Sequence, residues 1–560
     1  MPIKRTEHGV PPTHSPPGRA HVAIDLGAES GRVVVGQIRR AGLKNGPDDL
    51  TLSLHEVHRF EHKPLALRTG LHWDLCGIWR EILDGLKKVA AWSEAGGTPI
   101  RSIGVDTWGV DFCFVSEGGA IIGLPRCYRD PRFQRGLERV AARIPPRRLF
   151  EWTGIQPLAF NTLFQLEIRR EDDPHSELGA RHLAMMPDLL HLLLGAEPVN
   201  EVTIASTSQL LDARTGEWHR ELMSKQAISR NLFLPCAMPG TVVGRLHESV
   251  AAQTGLSRDV QVVLPASHDT ASAVAAVPAA GGEHSPRWCY VSSGTWSLMG
   301  VELDEPVISD AAFEMGFTNE LGVPREPARD VETGSGTRRA LPRPTVRFHK
   351  NISGLWLVQE CRRALEARGI TISYDELTRA AAEAQPLRTV FDVNDRKLWV
   401  PGQVATRIAS EARRTGQPEP ATPGELVRAC LDSLALEYRR TLGQIESLTR
   451  GGSNPRGDIE VVHIVGGGGK NRLLNQLTAD ATRRRVIVGP FEATAAGNLL
   501  VQAMGLGAAD PTNDAGAIRD LEHLRAVVAA SERLDTFEPT ADPTVWAKAS
   551  ARYESVLPTG

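Results

Sequence analysis

Ile24-Asp25-Leu26-Gly27-Ala28-Glu29-Ser30-Gly31-Arg32 closes one apolar, β-branched run and opens another. His21–Leu26 and Arg32–Ile38 therefore read as two strands of a hairpin, with Gly27 and Gly31 punctuating the turn. A turn of this kind turns backbone N–H groups outward, where they can hold phosphate oxygens. Asp25 at the strand end adds a carboxylate able to hold Mg²⁺ directly or through water. An Asp beside glycines can equally satisfy its own turn. Arg32 tips the balance, because a guanidinium pairs with phosphate or holds substrate hydroxyls.

The same design recurs in the second half of the chain. Arg287–Ser293 and Trp296–Leu303 read as strands around Ser292-Ser293-Gly294-Thr295-Trp296-Ser297, again with glycine at the turn. Around the first hairpin, Leu52–Phe60 is a third strand. Ile78, Ile82, Leu83, Leu86 and Val89 give Gly77–Ser93 helical spacing, and Ser102–Asp106 and Asp111–Ser116 are strands. Pro187–Leu194 is a helix, Gln261–Leu264 a short buried strand and His268–Val277 a helix of small residues. After the second hairpin come the helix Gly424–Leu448, the strand Ile459–Val465, the helix Asn471–Thr482, the strand Arg485–Val488 and the helix Ala493–Met504. Two α/β modules with similar openings follow, with a cleft between them. Residues 1–20 form a disordered extension, 21–280 the first domain and 281–560 the second. Residues 321–346, rich in Pro, Arg and Gly, are expected to be a mobile insertion.

Bulk properties narrow the function classes. A length of 560 residues exceeds one ordinary core. Charged residues make up 23% and the net charge is −3 with no dense basic run, so nucleic acid has no electrostatic footprint. Cys76, Cys113, Cys127, Cys236, Cys289, Cys361 and Cys430 are scattered without a CxxC pair, which argues against zinc ribbons and disulfide frameworks and fits a cytoplasmic chain. No apolar run reaches the roughly 18 residues of a membrane span. The Pro-rich start lacks the apolar core of a signal peptide.

Two further stretches carry chemistry. Pro265-Ala266-Ser267-His268-Asp269-Thr270 offers a carboxylate at a helix start, suited either to general-base work or to capping the helix. Val465-Gly466-Gly467-Gly468-Gly469-Lys470-Asn471 lies between a strand and a helix, where a backbone can approach a nucleotide closely. It is not a P-loop, since Ile464 replaces the first glycine and Asn471 follows the lysine. Nor is it a dinucleotide fingerprint, since Arg472 and Leu473 follow the glycines and no acidic residue fits the ribose position. Thr107, Trp108 and Asp111 can line a sugar pocket, or Trp108 can be a buried indole with its N–H satisfied. Trp296 and Trp356 read as core.

Together these stretches resemble the FGGY carbohydrate kinases of the actin/hexokinase-like superfamily. The resemblance also runs through Asp106–Phe112, Tyr128–Pro131, Thr153–Gln156, Asn161–Leu163, Met186–Leu190, Ala205–Leu211, Phe317–Glu320, Lys350–Ile352, Gly354–Leu357 and Leu473–Asp480, covering roughly residues 21 to 506. It implies an α/β fold of two actin/hexokinase-like (ribonuclease H-like) domains flanking a deep cleft. It also implies an ATP- and Mg²⁺-dependent phosphorylation of a small sugar, closest to the branch that acts on the 1-hydroxyl of L-rhamnulose. By motif position Asp269 would be the base. Ala28, Glu29, Ser30, Gly31, Arg32, Gly109, His268, Thr270 and Asn351 would surround the sugar, and Thr295, Gln359 and Gly467 would contact ATP. Asp25 is added on chemical grounds as the Mg²⁺ neighbour. The expected partners are the sugar and ATP, with no nucleic acid or membrane, in a monomer or homodimer. Glu29 departs from the family, many of whose members carry serine there, and residues 321–346 are longer than the usual link. Other readings stay open: a kinase for another (deoxy)ketose such as L-fuculose, a non-kinase actin-like ATPase, or a catalytically silent sugar sensor.

Overall fold

The computed structural model describes residues 19–40, 50–279, 287–327, 329–333, 336–340, 342–399, 402–450, 458–509 and 518–558. Most of the expected amino-terminal extension lies outside these residues. Its last two members, Arg19 and Ala20, are instead the first residues of a strand.

β1 (Arg19–Leu26), β2 (Ser30–Arg40), β3 (Leu50–Glu61), β4 (Ile100–Thr107), β5 (Val242–Arg245) and β6 (Gln261–Val263) form one sheet in the order β5-β6-β4-β1-β2-β3. The three consecutive strands β1 to β3 are antiparallel, whereas β4 runs parallel to β1 and β6 parallel to β4. β7 (Trp288–Ser293), β8 (Trp296–Leu303), β9 (Phe317–Leu321), β10 (Val346–Ser353), β11 (Val461–Val465), β12 (Arg485–Val488) and β13 (Asp535–Phe537) form the other, in the order β9-β10-β8-β7-β11-β12-β13. Here β7, β8 and β10 are antiparallel, and β11 and β12 continue parallel to β7. Three antiparallel strands followed by two parallel ones thus occur twice, the ribonuclease H-like order that the resemblance implies.

Both faces of the first sheet are covered, which explains why its strands read as near-continuous apolar runs. On one face α1 (Leu75–Gly96) buries Ile78, Ile82, Leu86 and Val89 against Val22, Ile24, Val33 and Val35. Full burial of each such side chain contributes about 1.5–3 kcal/mol. Asp74 caps α1 by accepting the Gly77 N–H, and Gly97 ends it in the left-handed conformation. The other face receives α2 (Asp269–Ala275) and, from far along the chain, α6 (Ala493–Ala509), whose Ala495 and Leu499 pack on Ala23 and Val34. The intervening helices α3 (Trp356–Glu366), α4 (Pro423–Thr449) and α5 (Arg472–Thr482) belong to the second half.

A further apolar cluster joins Ile38 and Leu52 of the first half to Val461, Val465, Leu500 and Leu524 of the second. The halves therefore share a core at their base. Residues 321–346 are not a simple excursion. Leu321 ends β9, Val346 begins β10, and Arg329–Thr333 pairs antiparallel with Gly336–Ala340 between them. Trp296 and Trp356, expected in the core, are only half-buried, because each sits where a strand or helix emerges beside the Gly294–Thr295 turn. Among the described residues no helix is long and apolar enough to cross a membrane.

Candidate active site

Three carboxylates gather at the carboxyl ends of adjacent strands, the side of an open α/β sheet where ligands bind. Asp25 on β1 stands directly opposite Asp106 on β4. The segment after β6 continues along β4, with the Thr107 N–H donating to the Ser267 carbonyl at 2.9 Å, and this brings Asp269 to the same rim.

Each carboxylate has a distinct environment. Asp25 faces Arg32 across the hairpin, with Arg32 Nε and Nη2 donating to its Oδ2 at 2.9 and 2.7 Å. Arg32 also pairs with Glu492, just before α6, so the guanidinium joins the two halves. Asp106 is fully buried. Its Oδ2 accepts from Asn498 Nδ2 at 2.5 Å, and its Oδ1 has no protein partner. Burial, reinforced by the charge of Asp25, pushes its carboxyl well above the usual range. The side chain of Asp269 is 30% exposed, and its Oδ1 accepts the Thr270 N–H at 2.5 Å and the Thr270 hydroxyl at 3.1 Å. Burial raises its pKa, with Asp25 adding to the shift and His268 opposing it. Asp269 is the first residue of α2 rather than its cap. His268 Nε2 lies 3.4 Å from Asp269 Oδ1.

The remaining sugar-side residues fall into groups. Ala28, Glu29 and Ser30 form the half-exposed hairpin turn, closed by the Gly27 N–H donating to the Ser30 carbonyl at 3.0 Å. Gly31 has no room for a side chain, since a Cβ would lie 2.3 Å from the Phe60 ring. The Glu29 carboxylate is 3.5 Å from Arg129 and 3.9 Å from Arg363 of α3, so it faces cations from both halves. Half-exposed Gly109 packs beside Thr207. Asn351 lies apart on β10, opposite Leu298, on the face it shares with Arg347 and His349.

Trp108 and Asp111 belong to the interior. Asp111 Oδ2 accepts from the indoles of Trp73 and Trp108 at 2.7 and 2.9 Å and from the Tyr128 N–H, while Oδ1 accepts from Gln165. Burial nonetheless pushes Asp111 up to about 7. Beside it Val110 holds φ at 69°, a costly conformation for a β-branched residue. It is held there by Thr207, Thr162 and Gln165.

On the second sheet the glycine turn packs against the second hairpin, since β11 is the neighbour of β7. Its four glycines differ. Gly466 has φ +87°, and a Cβ on Gly468 or Gly469 would lie 2.1 Å from Ser293 Oγ or 2.9 Å from Val488. Gly467 alone has ordinary φ and nothing within 4 Å of its missing Cβ. The other three are glycine for internal reasons, whereas Gly467 faces open space. Thr295 is half-exposed at the hairpin turn, and its carbonyl accepts the Trp356 N–H at 3.1 Å, which docks the start of α3. Gln359 follows on α3 with its Oε1 buried and without a protein partner.

Family models for the amino- and carboxy-terminal domains of the FGGY family of carbohydrate kinases match residues 21–276 and 289–506. The chain belongs to this family. This FGGY kinase is 37% identical to a rhamnulokinase of Bacteroides thetaiotaomicron over 535 residues, covering 96% of this chain and 99% of that protein. It is 34% identical to a rhamnulokinase of Bacillus subtilis, covering 93% and 95%. Among solved structures, glycerol kinase of Plasmodium falciparum with ADP superposes with a TM-score of 0.71 at 13% identity, covering 96% and 97% of the two chains. Xylulose kinase of Lactobacillus acidophilus gives 0.68 at 12% identity, covering 96% of each. The fold is the two-domain one of these kinases, and the chain is an ATP-dependent carbohydrate kinase.

Some residues of the FGGY kinase site were not singled out from sequence. Asn498 and Gln502 are buried on α6, one turn apart. Gln502 Nε2 donates to Asn498 Oδ1 at 2.5 Å and to the Val22 carbonyl at 3.0 Å, and Ser102 donates to Gln502 Oε1 at 2.6 Å. A polar i, i+4 pair within an otherwise apolar helix is the signal that marks them. Glu492, Glu320 and Arg347 carry no comparable local signal. Among the described residues no group of three or more His, Cys, Asp or Glu is arranged to hold a metal by itself.

Proposed function

We propose that this kinase transfers the γ-phosphate of ATP to the 1-hydroxyl of L-rhamnulose, giving L-rhamnulose 1-phosphate and ADP. The observation that carries this reading is Asp269, a part-exposed carboxylate of raised basicity at the carboxyl end of β6. The choice of sugar is supported by the relatives named rhamnulokinase, 34 to 37% identical over more than nine-tenths of the chain.

As O1 of the sugar forms its bond to the γ-phosphorus, its proton passes to Asp269. The bond from that phosphorus to the β,γ-bridging oxygen breaks, and ADP leaves with the electron pair. Ala28, Glu29, Ser30, Gly31, Arg32, Gly109, His268, Thr270 and Asn351 surround the sugar in this scheme. Thr295, Gln359 and Gly467 hold the nucleotide, the orphaned Gln359 oxygen being free to accept from it. Mg²⁺, when bound, neutralises phosphate charge and orients the γ-phosphoryl group. Asp25 fits a water-mediated contact to it. Only Oδ2 is taken by Arg32, and Mg²⁺ on phosphates needs just one or two carboxylates.

Glu29 favours a second reading, in which another deoxyketose such as L-fuculose is preferred, because a carboxylate replaces the serine of many members. ADP release should be measured with L-rhamnulose, L-fuculose, D-xylulose, glycerol and no sugar. The highest kcat/KM is expected for L-rhamnulose. A better ketose, or ATP turnover independent of sugar, would overturn the assignment.

Gly467→Val tests the nucleotide side. A Cβ at this position has no protein atom within 4 Å, so the fold should persist while the valine methyl groups obstruct the approach of ATP. Calorimetry should show ATP affinity falling by about tenfold or more, the loss of roughly 1.4 kcal/mol, with sugar affinity nearly unchanged. The reverse pattern would mean that the turn serves the sugar.

A further inference from the structure

Ser267 and His268 carry the chain from the end of β6 into Asp269, the first residue of α2. The Ser267 carbonyl is taken by Thr107, and the two N–H groups point the other way. The Ser267 N–H donates to Glu201 Oε2 at 3.2 Å. The His268 N–H donates to Thr203 Oγ1 at 3.2 Å, and that hydroxyl donates to the same Glu201 oxygen at 2.6 Å. Both backbone donors ahead of the base thus end on one fully buried carboxylate.

Glu201 also caps the helical turn Val202–Ala205, accepting the Thr203 N–H on Oε1 at 2.9 Å and the Ile204 N–H on Oε2 at 3.0 Å. Capping by itself calls for a shorter side chain, since Asn, Asp, Ser and Thr are the preferred caps. The extra methylene of glutamate carries the carboxylate past the helix end to Ser267. Placing it there is costly. Burial pushes Glu201 up to about 7 against all four donors. Asp188, whose Oδ1 accepts the Glu201 N–H at 3.2 Å, is pushed well above the carboxylate range by burial and by the Glu201 charge. The chain just beyond the cap reaches the rest of the site. Ser206 Oγ accepts the Leu321 N–H of β9 at 3.0 Å, and Thr207 Oγ1 accepts the Val110 N–H beside Gly109 at 3.0 Å.

We infer that Glu201 and Thr203 are positioning residues for the phosphoryl transfer, placing the Asp269 carboxylate by anchoring the two peptide N–H groups that precede it. The inference rests on the assignment of Asp269 as the base. A base has to stand within hydrogen-bond reach of the hydroxyl it serves. The hydrogen bonds that Asp269 itself accepts come from Thr270, which moves with it, so they do not fix the carboxylate relative to β4. The anchor on Ser267 and His268 does, because Glu201 and Thr203 belong to a separate, buried stretch of chain.

Glu201→Asp separates the two tasks of the side chain. Aspartate is a preferred cap, so Val202–Ala205 keeps its start, but the carboxylate is drawn back from Ser267 by one methylene. Thr203→Val keeps the branched shape and removes the acceptor of the His268 N–H. In each, kcat with the ketose the wild type uses should fall by about tenfold, short of the roughly 10²-fold that a misplacement of ~1 Å can cost. KM for ATP should hold. Thr203→Ser restores the hydroxyl and should recover most of the loss. Thr203→Val combined with Asp269→Asn should be no slower than Asp269→Asn alone, the non-additivity of residues acting through one group. Each kcat is read per folded molecule below the melting temperature, so that a loss of stability does not count as a loss of turnover. Wild-type kcat in both Glu201→Asp and Thr203→Val, no recovery in Thr203→Ser, or losses that multiply in the double variant would overturn the inference while the kinase assignment stands. Full turnover by Asp269→Asn would instead remove the base on which it rests.

Discussion

Asp269→Asn is expected to lower kcat by about 10²–10⁴-fold, the usual contribution of general-base catalysis. The amide is nearly isosteric and still accepts the Thr270 N–H through its oxygen, so α2 should start as before. What it loses is the capacity to take a proton. ATP affinity should change little, because the glycine turn and the Thr295 hairpin belong to the other sheet. Melting temperature and kcat must be read on the same preparation, since a merely structural Asp269 gives the opposite pattern, a less stable protein with full turnover. The pH profile adds a second check. The base works only when ionised, and burial raises its pKa, so kcat/KM should fall on acidification at a pH above the ordinary carboxylate range. That acidic limb should vanish in the variant's residual activity.

Gly497→Ala is expected to destabilise the protein and slow it at the same time. A Cβ at Gly497 on α6 would lie 1.9 Å from the Ser272 carbonyl oxygen and 2.6 Å from its carbon, atoms of the α2 backbone. A flexible side chain could move aside, but a helix backbone cannot without carrying its neighbours. Overpacking of this kind typically costs 1–3 kcal/mol, and backbone contact points to about 3 kcal/mol. Because α2 begins at Asp269, pushing the helices apart also shifts the carboxylate. The variant should melt at lower temperature and lose kcat even where folded. An unchanged melting temperature would show that α2 and α6 do not touch as described.

Much of this arrangement could be read from residues alone. The two hairpins were legible because strand alternation and turn glycines are local signals, and Trp296–Leu303 and Arg485–Val488 begin and end as expected. The glycine run was legible as a turn, but not which glycine mattered. That depended on Ser293 and Val488, which lie far away in sequence. The indole of Trp108 turned inward because Asp111 gathers two tryptophans, a glutamine and a backbone N–H, a convergence that spacing does not reveal. The Phe317–Glu320 stretch was part of the resemblance, yet nothing local assigned Glu320 to a histidine 52 residues earlier on a different sheet. The strands on either side of residue 280 fall in separate sheets, but α6 crosses back onto the first.

That crossing has a consequence for how the protein is made. The first sheet is complete in sequence when β6 ends at Val263, but the helix that covers Ala23 and Val34 starts only at Ala493. At about 5–20 residues per second, a ribosome takes on the order of 10 to 50 s to supply it. Through that interval the nascent first half carries a bare apolar face, together with the polar row of His21, Ser102 and Asp106 that Asn498 and Gln502 will later satisfy. Its stickiness in that window, rather than the stability of the finished enzyme, sets the demand on chaperones during synthesis.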